Sequence, residues 1–288
     1  MSFPLADCTV GIAGLGLMGG SYAQALRLNV GKILGWARDG QVANHALDEQ
    51  YIDCAVGPDE LAQRSDLLIL ALPPVICGEY LSAYRQLCRP GTIITDVAGV
   101  KTGTLAQMMG CDGQDVDFVG GHPLCGREGK GLIRARGEVF LGGDYVMTPV
   151  AHNKESSLDL VKKMAMSIGC RRVLCMTPER HDRIVAATSQ LPHIFACMLT
   201  MSAANFSQDV FTGGSYRDAS RVADINPELW TELCLANREA LQEVLDLVEK
   251  ELNNCREALN LKQADNLIDF FERGKSAWQE VDNNVTRI

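Results

Sequence analysis

No stretch of the 288-residue sequence approaches the ~18 uninterrupted apolar residues of a membrane span. The N-terminal MSFPLADCTV also lacks the charged-then-apolar pattern of a secretory signal, so a cytoplasmic protein with no membrane partner is expected. Basic charge is short as well: 27 Lys and Arg stand against 36 Asp and Glu, a formal net charge of −9 with the signs interspersed. Nucleic-acid binding needs a clustered cationic face that releases counterions, which points instead to a small-molecule partner. None of the 11 cysteines forms a CxxC pair, and Cys170 and Cys175 miss the zinc and redox spacings. No metal is expected, and the thiols read as small packed hydrophobes. Cys125, in a glycine-rich loop near His122, is the single candidate for a thiolate. Internal repeats and low-complexity tracts are lacking. What is present is a 47% hydrophobic fraction, enough for ordinary cores, and a length that suggests two packed units.

The apolar run TVGIAG leads into GLGLMGGS and then the helical pattern SYAQALRL, which predicts strand, tight turn and helix. Further short apolar runs follow: KILGW (32–36), DLLILAL (66–72), GTIITDV (91–97), DFVGG (117–121) and YVMTP (145–149). Strands buried on both faces of a parallel sheet read this way. Lys154–Ser167 is helical by pattern, and RRVLCM (171–176) reads as a last strand, placing a boundary near Met176. Beyond it the pattern is helical, with Pro178 near a helix start and Leu229–Leu261 a long amphipathic stretch free of Gly and Pro. Leu241, Leu245, Val248, Leu252, Cys255 and Leu259 alternate steps of four and three, a stripe suited to core packing or to a dimer seam. The expected architecture is α/β: a Rossmann-type dinucleotide-binding domain over 1–176, then an all-helical substrate and dimerisation domain over 177–288.

Gly14-Leu-Gly16-Leu17-Met18-Gly19 fits GxGxxG, a turn that lets backbone amides and a helix N-terminus approach a pyrophosphate. Its place after an apolar strand and before a helix makes it a dinucleotide site; Pro73, after DLLILAL, joins the cofactor-binding group. At the end of the second strand NAD sites carry a carboxylate and NADP sites an arginine. If that strand ends at Trp36, Ala37 holds the acid position and Arg38 can pair with a 2′-phosphate, which favours NADP over NAD. A shifted turn would bring Asp39 to the ribose instead.

His122 in Gly120-Gly-His-Pro-Leu-Cys-Gly126 is expected to emerge from a strand end into a loop, where catalytic groups often sit. With Glu128, Ser189-Gln-Leu-Pro-His193, Arg217-Asp-Ala-Ser-Arg221, the His181–Asp182 pair, TDVAGVK and NPELW (226–230), this segment resembles the prephenate and arogenate dehydrogenase family over nearly the whole chain. The GGHPLCG and RDASRVA segments are its more specific marks. The resemblance implies a nucleotide domain, a helical dimerisation domain and a cleft that holds prephenate or arogenate. It implies oxidative decarboxylation by hydride transfer to NAD(P)+, which belongs to tyrosine biosynthesis, and a homodimer.

Within that resemblance His122 is the base for the substrate hydroxyl, since a histidine near its ordinary pKa is neutral at neutral pH. Arg221 grips the ring carboxylate, and Lys101 lies near nicotinamide and substrate. His193 and Gln190 reach the substrate, and Glu128 with Asp218 gates the cleft. His181 and Asp182 fit helix capping or domain packing; His45 and His152 carry no signal. Two positions depart from the family: Gly99 where many relatives have a serine that bonds the catalytic histidine, and Gln190 where prephenate-using relatives have histidine. The second hints at arogenate. A β-hydroxyacid or imine reductase is the rival enzyme, which leaves GGHP with RDxSR unexplained, and a non-catalytic nucleotide sensor is the rival from another class. With the sequence ending soon after the long helices, tyrosine feedback is expected to act at the active site itself.

Overall fold

The computed structural model describes residues 4–103, 116–126, 129–206 and 211–287. Its centre is an eight-stranded sheet of order β3-β2-β1-β4-β5-β6-β7-β8. The strands are β1 (Thr9–Ala13), β2 (Lys32–Trp36), β3 (Cys54–Ala55), β4 (Leu67–Leu70), β5 (Ile93–Asp96), β6 (Asp117–Leu124), β7 (Asp144–Thr148) and β8 (Arg172–Cys175). All neighbours pair in parallel except β6 and β7. The α/β expectation is met. The two-residue β3 is the strand the pattern did not show, being too short to carry a period.

Period-two alternation explains why both faces are covered. On β4, Leu67 and Ile69 point into one core with Ile12, Tyr22 and Val161, while Leu68 and Leu70 point into the other with Leu61, Tyr80 and Leu81. Helices α1 (Leu17–Leu26), α2 (Gly40–Asp48), α3 (Pro58–Arg64), α4 (Pro74–Tyr84) and α5 (Glu155–Ser167) supply those layers. Strand order reverses at β1, with β2 on one side and β4 on the other. The glycine turn leaves β1 at this switch point, where open α/β sheets bind their ligands.

After the sheet come α6 (Pro178–Val185), a π-helical turn (Ala186–Gln190) and α7 (Leu191–Ala204) as one continuous helical run. Pro192 explains the π-turn: it has no N–H for the carbonyl four residues back, and its ring would clash there. By length and composition this run could cross a membrane, although it contains no uninterrupted apolar stretch of the kind sought in the sequence. It also carries buried His181, Asp182 and Gln190. Next are α8 (Gly214–Ser220), a 3-10 turn (Arg221–Ala223), α9 (Pro227–Ala236), α10 (Arg238–Asn260) and α11 (Ala264–Arg287). The long helix expected over 229–261 is therefore two. Asn237 breaks it, with φ −115° and ψ 27°, because its buried side chain donates to the carbonyl of Asp182 and to Oε1 of Gln190. The chain forms two compact units, Met1–Arg238 and Glu239–Ile288. In the second, Arg273 bridges Glu251 at 3.0 Å and Asp269 at 3.0 Å.

Candidate active site

The nucleotide end of the site is set by the glycine turn. Gly14 adopts φ +94°, and a Cβ there would lie 2.4 Å from the carbonyl of Ala71. Around Gly16 nothing lies within 4 Å of a Cβ position, so the space is open to a ligand where α1 begins and its free amides point. These residues fit a dinucleotide pyrophosphate. Strand β2 ends at Trp36, which puts Ala37 at the acid position, leaves Arg38 exposed, and gives Asp39 the task of capping α2 by accepting from Gln41 N at 2.9 Å. Pro73 caps the start of α4, whose Val75 amide donates to Glu232 at 2.7 Å.

Leu17 of this turn also lines a cavity of about 980 Å³ that includes His122, Cys125, Arg134, Ser189, His193, Arg221 and Trp230. The cavity lies wholly within the first compact unit. His122 does not sit beyond the strand, as expected, but within β6, opposite Val146 of β7. The β6–β7 ladder continues through Leu124, so the ring is held on rigid backbone rather than on a loop. Gly121 permits this: a Cβ there would sit 2.0 Å from the Tyr145 hydroxyl oxygen and 2.8 Å from Thr95 Oγ1.

Behind His122 lies a buried polar cluster drawn from three elements. Asp96 ends β5 and accepts from the amides of Gly121 and Ala98, each at 3.0 Å, and from Lys101 Nζ at 2.5 Å. Lys101 and Asp96 are both fully buried. His122 Nδ1 lies 2.9 Å from His181 Nε2, and His181 Nδ1 lies 2.7 Å from Asp182 Oδ1. Asp182 also accepts from the amides of Lys101 and Thr102, each at 2.8 Å. Burial, then the Lys101 ammonium, then His181 push the His122 pKa well below its ordinary value. Burial raises that of Asp182, but hydrogen bonds from His181 and the Thr102 amide outweigh it and hold the carboxyl below its usual range.

Several expected site residues fall elsewhere than on the cavity wall. Lys101 is not an exposed loop charge: it is fully buried, its ammonium pairs with Asp96, and it acts on His122 through the field. Gln190 points inward, 1% exposed, donating to the carbonyl of Leu233 at 3.0 Å and accepting from Asn237 at 2.8 Å. Asp218 is exposed on α8, one turn before Arg221, and Glu128 lies outside the described residues. His193 and Arg221 do line the cavity. The His193 ring bonds the Ser189 carbonyl through Nδ1 at 2.8 Å and stacks on Trp230 with centroids 3.8 Å apart. Cys125 has its thiol pKa pushed up to about 12 by burial, with Cys170 adding to it, so it is no nucleophile. His181 does not cap its helix, because Thr177 does that by accepting from Arg180 N. Sequence reading missed the joining of His122 to His181, Trp230 beneath His193, and Arg134; only the HD pair at His181 and Asp182 signalled the first.

A glycine turn shaped for a pyrophosphate opens onto the same cavity as a neutral histidine on rigid backbone and an arginine. Such an arrangement defines a dinucleotide-linked dehydrogenase acting on a hydroxyl of an acidic substrate. Comparison with known proteins narrows the class. Residues 22–174 match the family model "Prephenate dehydrogenase, nucleotide-binding domain", and residues 177–273 match "Prephenate dehydrogenase, dimerization domain". Cyclohexadienyl dehydrogenase of Zymomonas mobilis is 28% identical over 93% of this chain and 94% of its own. Prephenate dehydrogenase of Bacillus subtilis is also 28% identical, over 93% of this chain and 74% of its own. The crystal structure of Aquifex aeolicus prephenate dehydrogenase with hydroxyphenyl propionate and NAD+ superposes with TM-score 0.85 at 27% identity, covering 95% of this chain and 98% of that one. Synechocystis arogenate dehydrogenase gives TM-score 0.80 at 26% identity, covering 95% and 99%. A pyrroline-5-carboxylate reductase from Streptococcus pyogenes, 15% identical with TM-score 0.53, shares the fold alone. The chain belongs to the prephenate dehydrogenase family and is an NAD(P)-linked oxidoreductase of that family.

Proposed function

We propose that this protein oxidatively decarboxylates prephenate, arogenate or both, with His122 as the general base and Arg221 as the carboxylate-binding group. The observation that carries the reading is the shared cavity: Leu17 of the nucleotide turn, His122 and Arg221 line one space of about 980 Å³. When bound, NAD(P)+ would supply the hydride acceptor, and Gly14, Gly16, Leu17, Met18 and Gly19 would hold it. His122, neutral because burial and Lys101 disfavour its charged form, accepts the hydroxyl proton as the C–H bond gives up its electron pair. The resulting cyclohexadienone loses carbon dioxide, and aromatisation drives that step. Arg221 holds the carboxylate with parallel N–H bonds, and His193, fixed by Ser189 and Trp230, turns its ring to the other end of the substrate. Lys101 acts at a distance, Gln190 ties its turn to Leu233 and Asn237, and Asp218 stands one turn before Arg221.

NADP is the preferred cofactor in this reading, supported by a β2 that ends at Trp36, the missing acid at Ala37 and the exposed Arg38. A functional division near Met176, a homodimer through the helical region and a cytoplasmic location go with it; strands give way to helices after Cys175, and the second matched model is described as a dimerization domain. The deciding experiment follows reduced-nicotinamide absorbance with prephenate or arogenate against NAD or NADP. Turnover with one of the two cyclohexadienols supports the reading, and silence in all four combinations overturns it. Arg38→Ala is expected to raise the KM for NADP about tenfold or more and leave that for NAD nearly unchanged.

A further inference from the structure

An ionised carboxylate can only accept hydrogen bonds. Asp182, held ionised by His181 and the main-chain amides of Lys101 and Thr102, therefore leaves the proton of its 2.7 Å contact on His181 Nδ1. A neutral His181 then presents a lone pair at Nε2, so in the 2.9 Å contact His122 must donate from Nδ1. The remaining nitrogen of His122, Nε2, keeps its lone pair on the side of Gly99, 3.8 Å from where a Cβ of residue 99 would stand. That side carries no serine to orient the ring.

We propose that His181 and Asp182 are positioning residues that fix the tautomer of His122 and receive the proton's charge, doing from behind the ring what a side chain at position 99 cannot do from the front. The inference rests on His122 being the base. As the C–H pair leaves as hydride, the O–H pair becomes the carbonyl π bond and the hydroxyl proton goes to His122 Nε2. The Nδ1 proton of His122 passes to Nε2 of His181, so the imidazolium charge comes to rest against the Asp182 carboxylate instead of beside the Lys101 ammonium. The charged groups facing the two rings are Asp182 on α6 and Lys101 with Asp96 from β5 and its loop, while Arg221 stands on the cavity side.

The test compares His122→Asn, His181→Phe and His181→Gln in the full-length enzyme, with pH profiles and proton inventories in mixed light and heavy water. His181→Phe is expected to lower kcat about a hundredfold with KM changed less than about threefold, since general-base assistance is worth that much or more. His181→Gln, whose carbonyl can accept from His122 Nδ1 but cannot take the proton, should recover part of kcat and turn a curved inventory linear. A kcat for His181→Phe within about threefold of wild type, with its acid limb unmoved and His122→Asn inactive, overturns the relay while leaving His122 as base. Turnover by His122→Asn would instead remove the reading on which it rests. Histidine 15N spectra of the wild-type protein need no variant to fold: a proton on Nδ1 of His122 and a bare Nε2 support the relay, and the opposite tautomer refutes it.

Discussion

Lys101 shows how a residue acts through its field. Its ammonium lies in the 2.5 Å pair with Asp96, away from the cavity wall, yet after burial it is the largest cause of the low His122 pKa. A base with a depressed pKa is neutral above that value, so activity falls only as pH drops through it. Removing the positive charge in Lys101→Met raises the His122 pKa, and the acid limb of kcat/KM is expected to move to higher pH. Lys101→Arg, keeping the charge, should leave the limb in place, and an unmoved limb in Lys101→Met would show that burial alone sets the pKa. The methionine variant also strands a buried carboxylate at a cost of about 3–5 kcal/mol, so thermal unfolding must be followed alongside. Arg221 makes a complementary case: Arg221→Ala is expected to raise the substrate KM about tenfold or more, with kcat reduced less, because a carboxylate grip acts equally in ground and transition states. The motifs containing His122 and Arg221 were legible because each pairs an unusual residue with a distinctive local sequence. The burial of Lys101 and Gln190 was not legible, because a one-dimensional pattern shows neither what covers a side chain nor which way it points.

At the scale of elements, β6 matters most, and its length was understated. GGHPL reads as a loop because it combines glycines and proline, yet pairing with β7 extends the strand through Leu124. Pro123 is tolerated because His122 and Leu124 on either side hold the antiparallel ladder. The far end of that ladder is stapled by Asp144, whose carboxylate takes Arg171 Nε at 2.7 Å and Arg172 Nη2 at 2.8 Å. Those hydrogen bonds lower its pKa to about 2. With the folded value depressed, the fork stabilises the protein fully above the ordinary carboxylate pKa, and the contribution disappears as pH falls to about 2. Asp144→Asn is expected to lower Tm by about 2–4 °C at neutral pH, with the gap to wild type closing in acid. A constant gap across the pH series would mean that the fork's charge is immaterial. The broken helix at Asn237 carries the same lesson: the apolar period runs through it unmarked, and only a partner 47 residues away, Gln190, together with the Asp182 carbonyl, gives the break its cause.

For the whole molecule, the unit Glu239–Ile288 exposes Leu247, Leu259, Phe271 and Trp278, each more than half accessible. Large apolar side chains in such number on two helices are what an association surface would cover, and the model matched over 177–273 is described as a dimerization domain. Sedimentation is expected to give twice the 31.4 kDa chain mass, and Phe271→Glu should shift it toward the single chain; a wild-type monomer at micromolar concentration would place these side chains in another role. The sequence by itself determined the alternation of strand and helix, the pyrophosphate turn and the family, because each is written in local periodicity or in a contiguous motif whose backbone demands are local. Only the tertiary structure decided which titratable groups meet. His122 and His181 stand 59 residues apart and share a proton path through contacts of 2.9 and 2.7 Å. Their meeting depends on tertiary packing that brings α6 to β6, with Asp182 anchored on the amides of Lys101 and Thr102 after β5, and hydrogen bonds at that range are encoded by no spacing along the chain.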